Sequence, residues 1–174
     1  MHRIKLFITD IDGVWTDGGM YYAENSADRF KKFNTADSAG VLFLRLAGIP
    51  LAIITGEDSG AVRQRAEKLG IRYVFTGVRN KLLTADRLRK ELGIDWDEVA
   101  FVGDDINDLP LLRKAGWSAC PASAENYIKN EVDHILSRDG GQGAFREFVQ
   151  TYFERRGELD DIIQMYLDQI PPQV

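Results

Sequence analysis

Ile4-Lys5-Leu6-Phe7-Ile8-Thr9-Asp10-Ile11-Asp12-Gly13 is an apolar run that stops on two aspartates and a glycine. Its apolar residues follow one another with little alternation, as in a strand covered on both faces. Similar runs recur outward from it at 51–55, 73–76, 99–102 and 117–120, with a weaker one at 134–136. Helical patterns lie between them at 37–47, 58–69, 80–92 and 108–114. The second of these starts with Asp58 or Ser59 as N-cap and stops at Gly70; the last two stop at Gly93 and Gly116. Strand and helix in alternation predict an α/β fold with a doubly wound, mainly parallel sheet.

Two segments interrupt this rhythm. Residues 18–33 hold Met20, Tyr21 and Tyr22, then Glu24-Asn25-Ser26, then Phe30 and Phe33. Aromatic stretches around a polar turn read as a β-hairpin inserted after the first strand. With Trp15, they carry more apolar surface than a solvated flap needs, which points to packing against another copy or against the chain's own core. The tail, about 139–174, opens with Gly140, Gly141 and Gly143, continues as helical patterns, and closes on Pro171-Pro172. The chain has no internal repeat or linker, and 174 residues suit one domain.

Composition narrows the function classes. A net charge of -5 argues against nucleic-acid binding, which uses a basic face. The single cysteine, Cys120, excludes an intrachain disulfide and fits a reducing compartment. The N-terminus is charged too early for a signal peptide, and no apolar run reaches the roughly 20 residues of a membrane helix. A cytoplasmic protein is expected.

Ligands of open α/β sheets bind at the carboxyl ends of the strands. The first strand ends in Asp10 and Asp12; two residues apart on extended backbone, they project the same way. One can attack phosphorus as a nucleophile while the other carries a proton. Gly13 allows close approach of an anion. The fourth run ends Gly103-Asp104-Asp105-Ile106-Asn107-Asp108, hard oxygen donors that suit Mg²⁺. Asp-rich turns also occur as helix caps, but two clusters at strand ends separated by βα units favour a site. Thr55 with Gly56 can bind phosphate oxygens, and Lys81 supplies a point charge. Phosphoryl transfer needs mainly positioning and charge neutralisation.

These pieces in this order resemble the haloacid dehalogenase-like phosphohydrolases, which have a Rossmann-like fold. The resemblance rests on Asp10-Ile-Asp12-Gly13-Val14-x-Thr16, Thr55-Gly56, Lys81 and Gly103-Asp104-Asp105-x-Asn107-Asp108. It implies Asp10 as nucleophile and metal ligand, and Asp12 as general acid/base with its carbonyl oxygen on Mg²⁺. Asp104 becomes a further ligand, Thr55 and Lys81 hold the phosphoryl group, and Asp105, Asn107 and Asp108 support them. Between Gly13 and Thr55 there is room for the hairpin and one helix but no cap domain. The chain therefore looks like the capless sugar-acid phosphatases of sialic-acid and lipopolysaccharide sugars, whose hairpins associate into homotetramers. The tail Gly140-Gly141-x-Gly143…Arg146 is similar to theirs.

Within that subgroup, Glu57 and Lys68 look like the nonulosonate (KDN-type) 9-phosphate enzymes rather than the octulosonate 8-phosphate enzymes. Both residues are also the charges a helix dipole favours at its two ends. Glu57 is expected to face its own site. Lys68 and Arg65 are expected to reach a neighbouring subunit's site, as substrate-binding residues along with Gly56. Dehalogenase or phosphomutase chemistry on the same scaffold, and an idle tetramerisation module, are the rival readings. An acid/base at Asp12 favours phosphoryl chemistry, and the intact set Asp10, Asp12, Lys81 and Asp104 speaks against idleness.

Overall fold

The computed structural model describes residues 3–22 and 29–170. The hairpin turn expected at Glu24-Asn25-Ser26 and the Pro171-Pro172 stop lie outside the described residues. Among the described residues, six strands form one parallel sheet: β1 (Leu6–Thr9), β4 (Leu51–Ile54), β5 (Tyr73–Phe75), β6 (Val99–Val102), β7 (Trp117–Cys120) and β8 (His134–Ile135). Their order is β5-β4-β1-β6-β7-β8. The sheet grows one way from β1 to β4 and the other way to β6, so the crevice of a doubly wound sheet opens at the carboxyl end of β1.

Strand pleat sends neighbouring side chains to opposite faces. Phe7 joins the layer built with α1 (Asp37–Leu46), α2 (Gly60–Leu69), α6 (Ala144–Arg156) and α7 (Leu159–Leu167). Leu6 and Ile8 join the layer built with α3 (Lys81–Glu91), α4 (Leu109–Leu112) and α5 (Asn126–Lys129). On the first face Phe148 stacks on Trp117 at 4.4 Å and meets Phe7 edge-on at 5.4 Å. Each such ring pair contributes about 0.5–1.5 kcal/mol beyond area burial. Tyr152 extends this cluster and accepts the Ile4 N–H at 3.0 Å, so α6 holds the entry to β1. No helix among the described residues is long and apolar enough to cross a membrane.

Two sequence expectations change, and a third is narrowed. The inserted hairpin is shorter, with β2 (Tyr21–Tyr22) antiparallel to β3 (Arg29–Phe30). Trp15 and Phe33 are not part of its outer surface. Trp15 is buried, stacked on Phe145 at 4.6 Å, with Nε1 donating to Thr9 Oγ1 at 3.0 Å, and Phe33 packs on the core. The Ile11 carbonyl accepts the N–H groups of Val14, Trp15 and Thr16, and that turn swings Trp15 inward. Of the two N-caps expected for α2 the structure takes Ser59, so the helix runs from Gly60. Asp58 instead pairs with Arg63 and accepts from Thr76, which ties the approach to α2 to the end of β5.

Candidate active site

Asp10 follows β1 directly, and its N–H donates to the Val102 carbonyl of β6 at 3.0 Å. This continues the sheet's pairing by one residue and fixes the aspartate in the crevice, where it is buried. Asp104 and Asp108 enter the same space from the loop after β6. Ligand oxygens of Asp10, Asp104 and Asp108 lie within 4.8 Å of one another. Lys81, the first residue of α3, is buried behind the Asn80 N-cap and places Nζ 2.9 Å from Asp10 Oδ1 and 2.6 Å from Asp108 Oδ1. The lysine read as a point charge is thus the only ammonium in a buried cluster of three carboxylates, among the described residues.

The electrostatics follow from that imbalance. Burial, then the charge of Asp108, raises the Asp10 carboxyl to about 7 against the pull of Lys81. Burial, then Asp10 and Asp108, raises Asp104 to about 8. Burial opposes the Lys81 charge, but Asp10 and Asp108 outweigh it and hold the ammonium above its ordinary value. Asp108 has little left to offer a ligand. Its Oδ1 takes Lys81, and its Oδ2 accepts the N–H groups of Asp104 and Asp105 at 3.1 and 3.2 Å. Asp104 Oδ1 is buried without a hydrogen-bond partner. An unsatisfied buried carboxylate oxygen beside two other carboxylates fits a hard divalent cation.

Glycines allow this crowding. A Cβ on Gly13 would fall 1.8 Å from Asp104 Oδ2, and one on Gly140 would fall 1.9 Å from the Gly13 carbonyl. The glycine run of the tail is therefore packed against the loop after β1. The Gly141 N–H donates to the Val14 carbonyl at 3.0 Å, and Asn34 Nδ2 donates to the Gly141 carbonyl at 3.0 Å.

β1 stops at Thr9, and Asp12 opens the turn whose N–H groups converge on the Ile11 carbonyl. Asp12 is partly exposed, lies 3.5 Å from Thr16 Oγ1, and its Oδ1 pairs with Lys31. Lys31 also pairs with Glu57 Oε2 at 2.5 Å. It was missed in the sequence because nothing in Phe30-Lys31-Lys32-Phe33 separates a buried lysine from a surface one. Thr55 is buried at the end of β4, with its N–H on Phe75 O and its carbonyl accepting from Val78, and Gly56 beside it is exposed. Asn107 approaches Gly56; Asp105 accepts from the Tyr127 hydroxyl at 3.0 Å, so Tyr127 is a second residue not anticipated.

The three outlying charged residues divide. Glu57 precedes α2 and faces Lys31, so it is not a first-turn helix charge. Lys68 is exposed and borders a groove of about 620 Å³ together with Phe30, Lys31, Phe33 and Arg65. Arg65, expected to reach a neighbour, is held within its own chain. Its Nη2 donates to Ser38 Oγ at 2.8 Å and its guanidinium lies over the Phe33 ring.

The raised carboxyls set a sign for stability. Above about pH 4 the unfolded chain has released these protons, while folded Asp10 and Asp104 keep theirs until about 7 and 8. The metal-free fold therefore binds more protons and loses stability as pH rises through those values. Asp37, raised to about 6 by burial, adds the same sign. In EDTA the melting temperature should fall by several degrees between pH 6.5 and 8.5, and excess Mg²⁺ should flatten that fall. A metal-free melting temperature that rises over this range would contradict the charge balance described.

Comparison with known proteins places this geometry. A family model described as haloacid dehalogenase-like hydrolase matches residues 23–116. The 3-deoxy-D-manno-octulosonate 8-phosphate phosphatase KdsC of Haemophilus influenzae is 39% identical over 158 residues, which cover 91% of this chain and 87% of that protein. KdsC of Escherichia coli K12 is 36% identical over 159 residues, covering 91% and 84%. Among solved structures, the Moraxella catarrhalis 3-deoxy-D-manno-octulosonate 8-phosphate phosphatase superposes with a TM-score of 0.89 at 35% identity, over 94% of this chain and 93% of that one. That crystal contains magnesium, phosphate and KDO. With a family model spanning over half of its residues and relatives aligned along nine-tenths of its length, this chain belongs to the haloacid dehalogenase-like hydrolases.

Proposed function

We propose that this phosphatase hydrolyses the phosphomonoester of a 2-keto-3-deoxy sugar acid, with Mg²⁺, through an aspartyl phosphate on Asp10. The observation that carries the reading is buried Asp10 at the carboxyl end of β1, facing Lys81 and two further carboxylates. Mg²⁺ would be held by Asp10, Asp104 and the Asp12 carbonyl, with Asp108 behind them, and would supply charge neutralisation for the phosphoryl oxygens.

The residues then divide the work. A carboxylate oxygen of Asp10 attacks phosphorus and the ester P–O bond breaks; the departing alkoxide takes a proton from Asp12. Asp12 next removes a proton from water, which attacks the same phosphorus, frees Asp10 and releases inorganic phosphate. Lys81 and Thr55 steady the transferring group, and Lys81 also limits repulsion between the phosphate and the carboxylates.

The octulosonate 8-phosphate is the leading substrate, because the relatives named above act on it. This reverses the order expected from Glu57 and Lys68. One observation keeps the nonulosonate 9-phosphate as a second reading: Glu57 sits at the edge of the site on Lys31, and Lys68 borders the adjoining groove. A groove with Lys31, Arg65 and Lys68 on its walls supports an acidic sugar in either case. A homotetramer joined at the hairpins is supported by the exposure of Met20, Tyr21, Tyr22 and Phe30, and a monomeric mass by light scattering would contradict it.

The deciding comparison is kcat/KM for the two sugar phosphates in Mg²⁺. Octulosonate 8-phosphate is expected to exceed nonulosonate 9-phosphate at least tenfold, and the reverse ranking would install the second reading. Asp12→Asn should lower kcat for whichever substrate is preferred by roughly 10²–10⁴. Undiminished turnover would remove Asp12 from proton transfer.

A further inference from the structure

Lys31 stands outside the buried cluster and outside the chemistry assigned so far. It follows β3 directly, where the chain leaves the hairpin. Its side chain is only 5% exposed, unusual for a lysine on an inserted loop. A buried ammonium needs partners, and among the described residues Lys31 has two: Asp12 Oδ1 and Glu57 Oε2. These belong to two other loops, one after β1 and one after β4. The ammonium therefore joins three segments at the rim of the crevice.

Asp12 needs such a partner. It sits on a turn, its side chain is 33% exposed, and its other polar contact among the described residues is a long 3.5 Å approach from Thr16 Oγ1. A carboxylate that must first give a proton to an ester oxygen and then take one from water has to stay aimed at one point. Misplacement by about 1 Å can cost about 10²-fold in rate. Glu57 in turn keeps the Lys31 ammonium from following Asp12 outward.

We propose that Lys31 is a positioning residue for Asp12, and that Glu57 acts on the reaction through Lys31 by clamping it between the two carboxylates. The inference rests on the phosphatase reading and on Asp12 as its acid/base. It assigns the hairpin a task within its own subunit: the end of β3 delivers the cation that orients the proton-transfer group. It also gives Glu57 a function that does not depend on which sugar binds.

The test uses p-nitrophenyl phosphate, whose phenolate leaves without a proton, so that only the second half-reaction needs Asp12. Wild-type chain, Lys31→Met, Lys31→Arg and Glu57→Gln are compared with Mg²⁺ in stopped-flow and steady-state assays. Lys31→Met should release about one equivalent of p-nitrophenolate per subunit in a fast phase, followed by turnover about 10²-fold below wild type. Its KM should fall in step with kcat, leaving kcat/KM within a few fold of wild type, because only the second half-reaction is slowed. Lys31→Arg should recover part of kcat, and Glu57→Gln should fall between wild type and Lys31→Met. Melting curves check that each variant folds; should Lys31→Met fail, Lys31→Gln takes its place with the same expectation. A kcat for the neutral variant within twofold of wild type would overturn the inference. So would a raised KM at unchanged kcat, which would make Lys31 a substrate ligand. Inactive wild type would overturn the phosphatase reading itself, and the inference with it.

Discussion

One buried ammonium facing three carboxylates is the constraint on which the rest of the structure depends. Lys81 touches Asp10 and Asp108, and among the described residues Asp104 stands beside both without an ammonium of its own. Removing one partner of a buried ion pair commonly costs 3–5 kcal/mol, because the other charge is left uncompensated. Here the chain has left that imbalance in place, and the fold carries it by other means. Asp108 is stabilised by two backbone N–H groups from its own loop. Asp10 and Asp104 keep their protons to higher pH than isolated carboxyls do. A site held in this state fits a divalent cation, whose two positive charges offset the excess of carboxylates.

The surrounding architecture serves that crowding. β1 lies between β4 and β6, so the loops after three neighbouring strands meet above it. Glycine is required where they touch: Gly13 lies against the Asp104 carboxylate and Gly140 against the Gly13 backbone. The tail is thus part of the wall of the site, tied there by the bonds of Gly141 to Val14 and Asn34 and held behind by the aromatic packing of α6 on β1. Stability and the site share a turn: the one that carries Asp12 also sets Trp15 into the core.

Much of this was legible in the sequence. Unalternating runs ending in aspartate marked both-face-buried strands, and the rule that ligands gather at strand ends pointed to Asp10, Asp104, Thr55 and Lys81 together. What escaped was set by contacts remote along the chain. Lys31 and Lys32 read alike, yet only Lys31 meets Asp12 and Glu57, a choice made by where the sheet order brings three loops. Trp15 read as hairpin surface because the turn at Ile11 has no glycine or proline before Gly13 to announce its direction. Arg65 read as an outward charge because its partners are remote along the chain, Asn34 just before α1 and Ser38 in its first turn. Substrate choice turned on Glu57 and Lys68, and a charge at either position reads the same in sequence whether it meets a sugar, a helix dipole or a neighbouring ion.

Covalent capture is the most direct test of the central claim, that Asp10 attacks phosphorus. Enzyme quenched in acid during turnover, reduced with borohydride and mapped by peptide mass spectrometry should carry homoserine in place of aspartate at position 10, in proportion to the phosphorylated fraction. The modification should be absent without substrate. Homoserine at Asp12 or Asp104 instead, or full turnover with a phosphoenzyme shown never to form, would contradict the account.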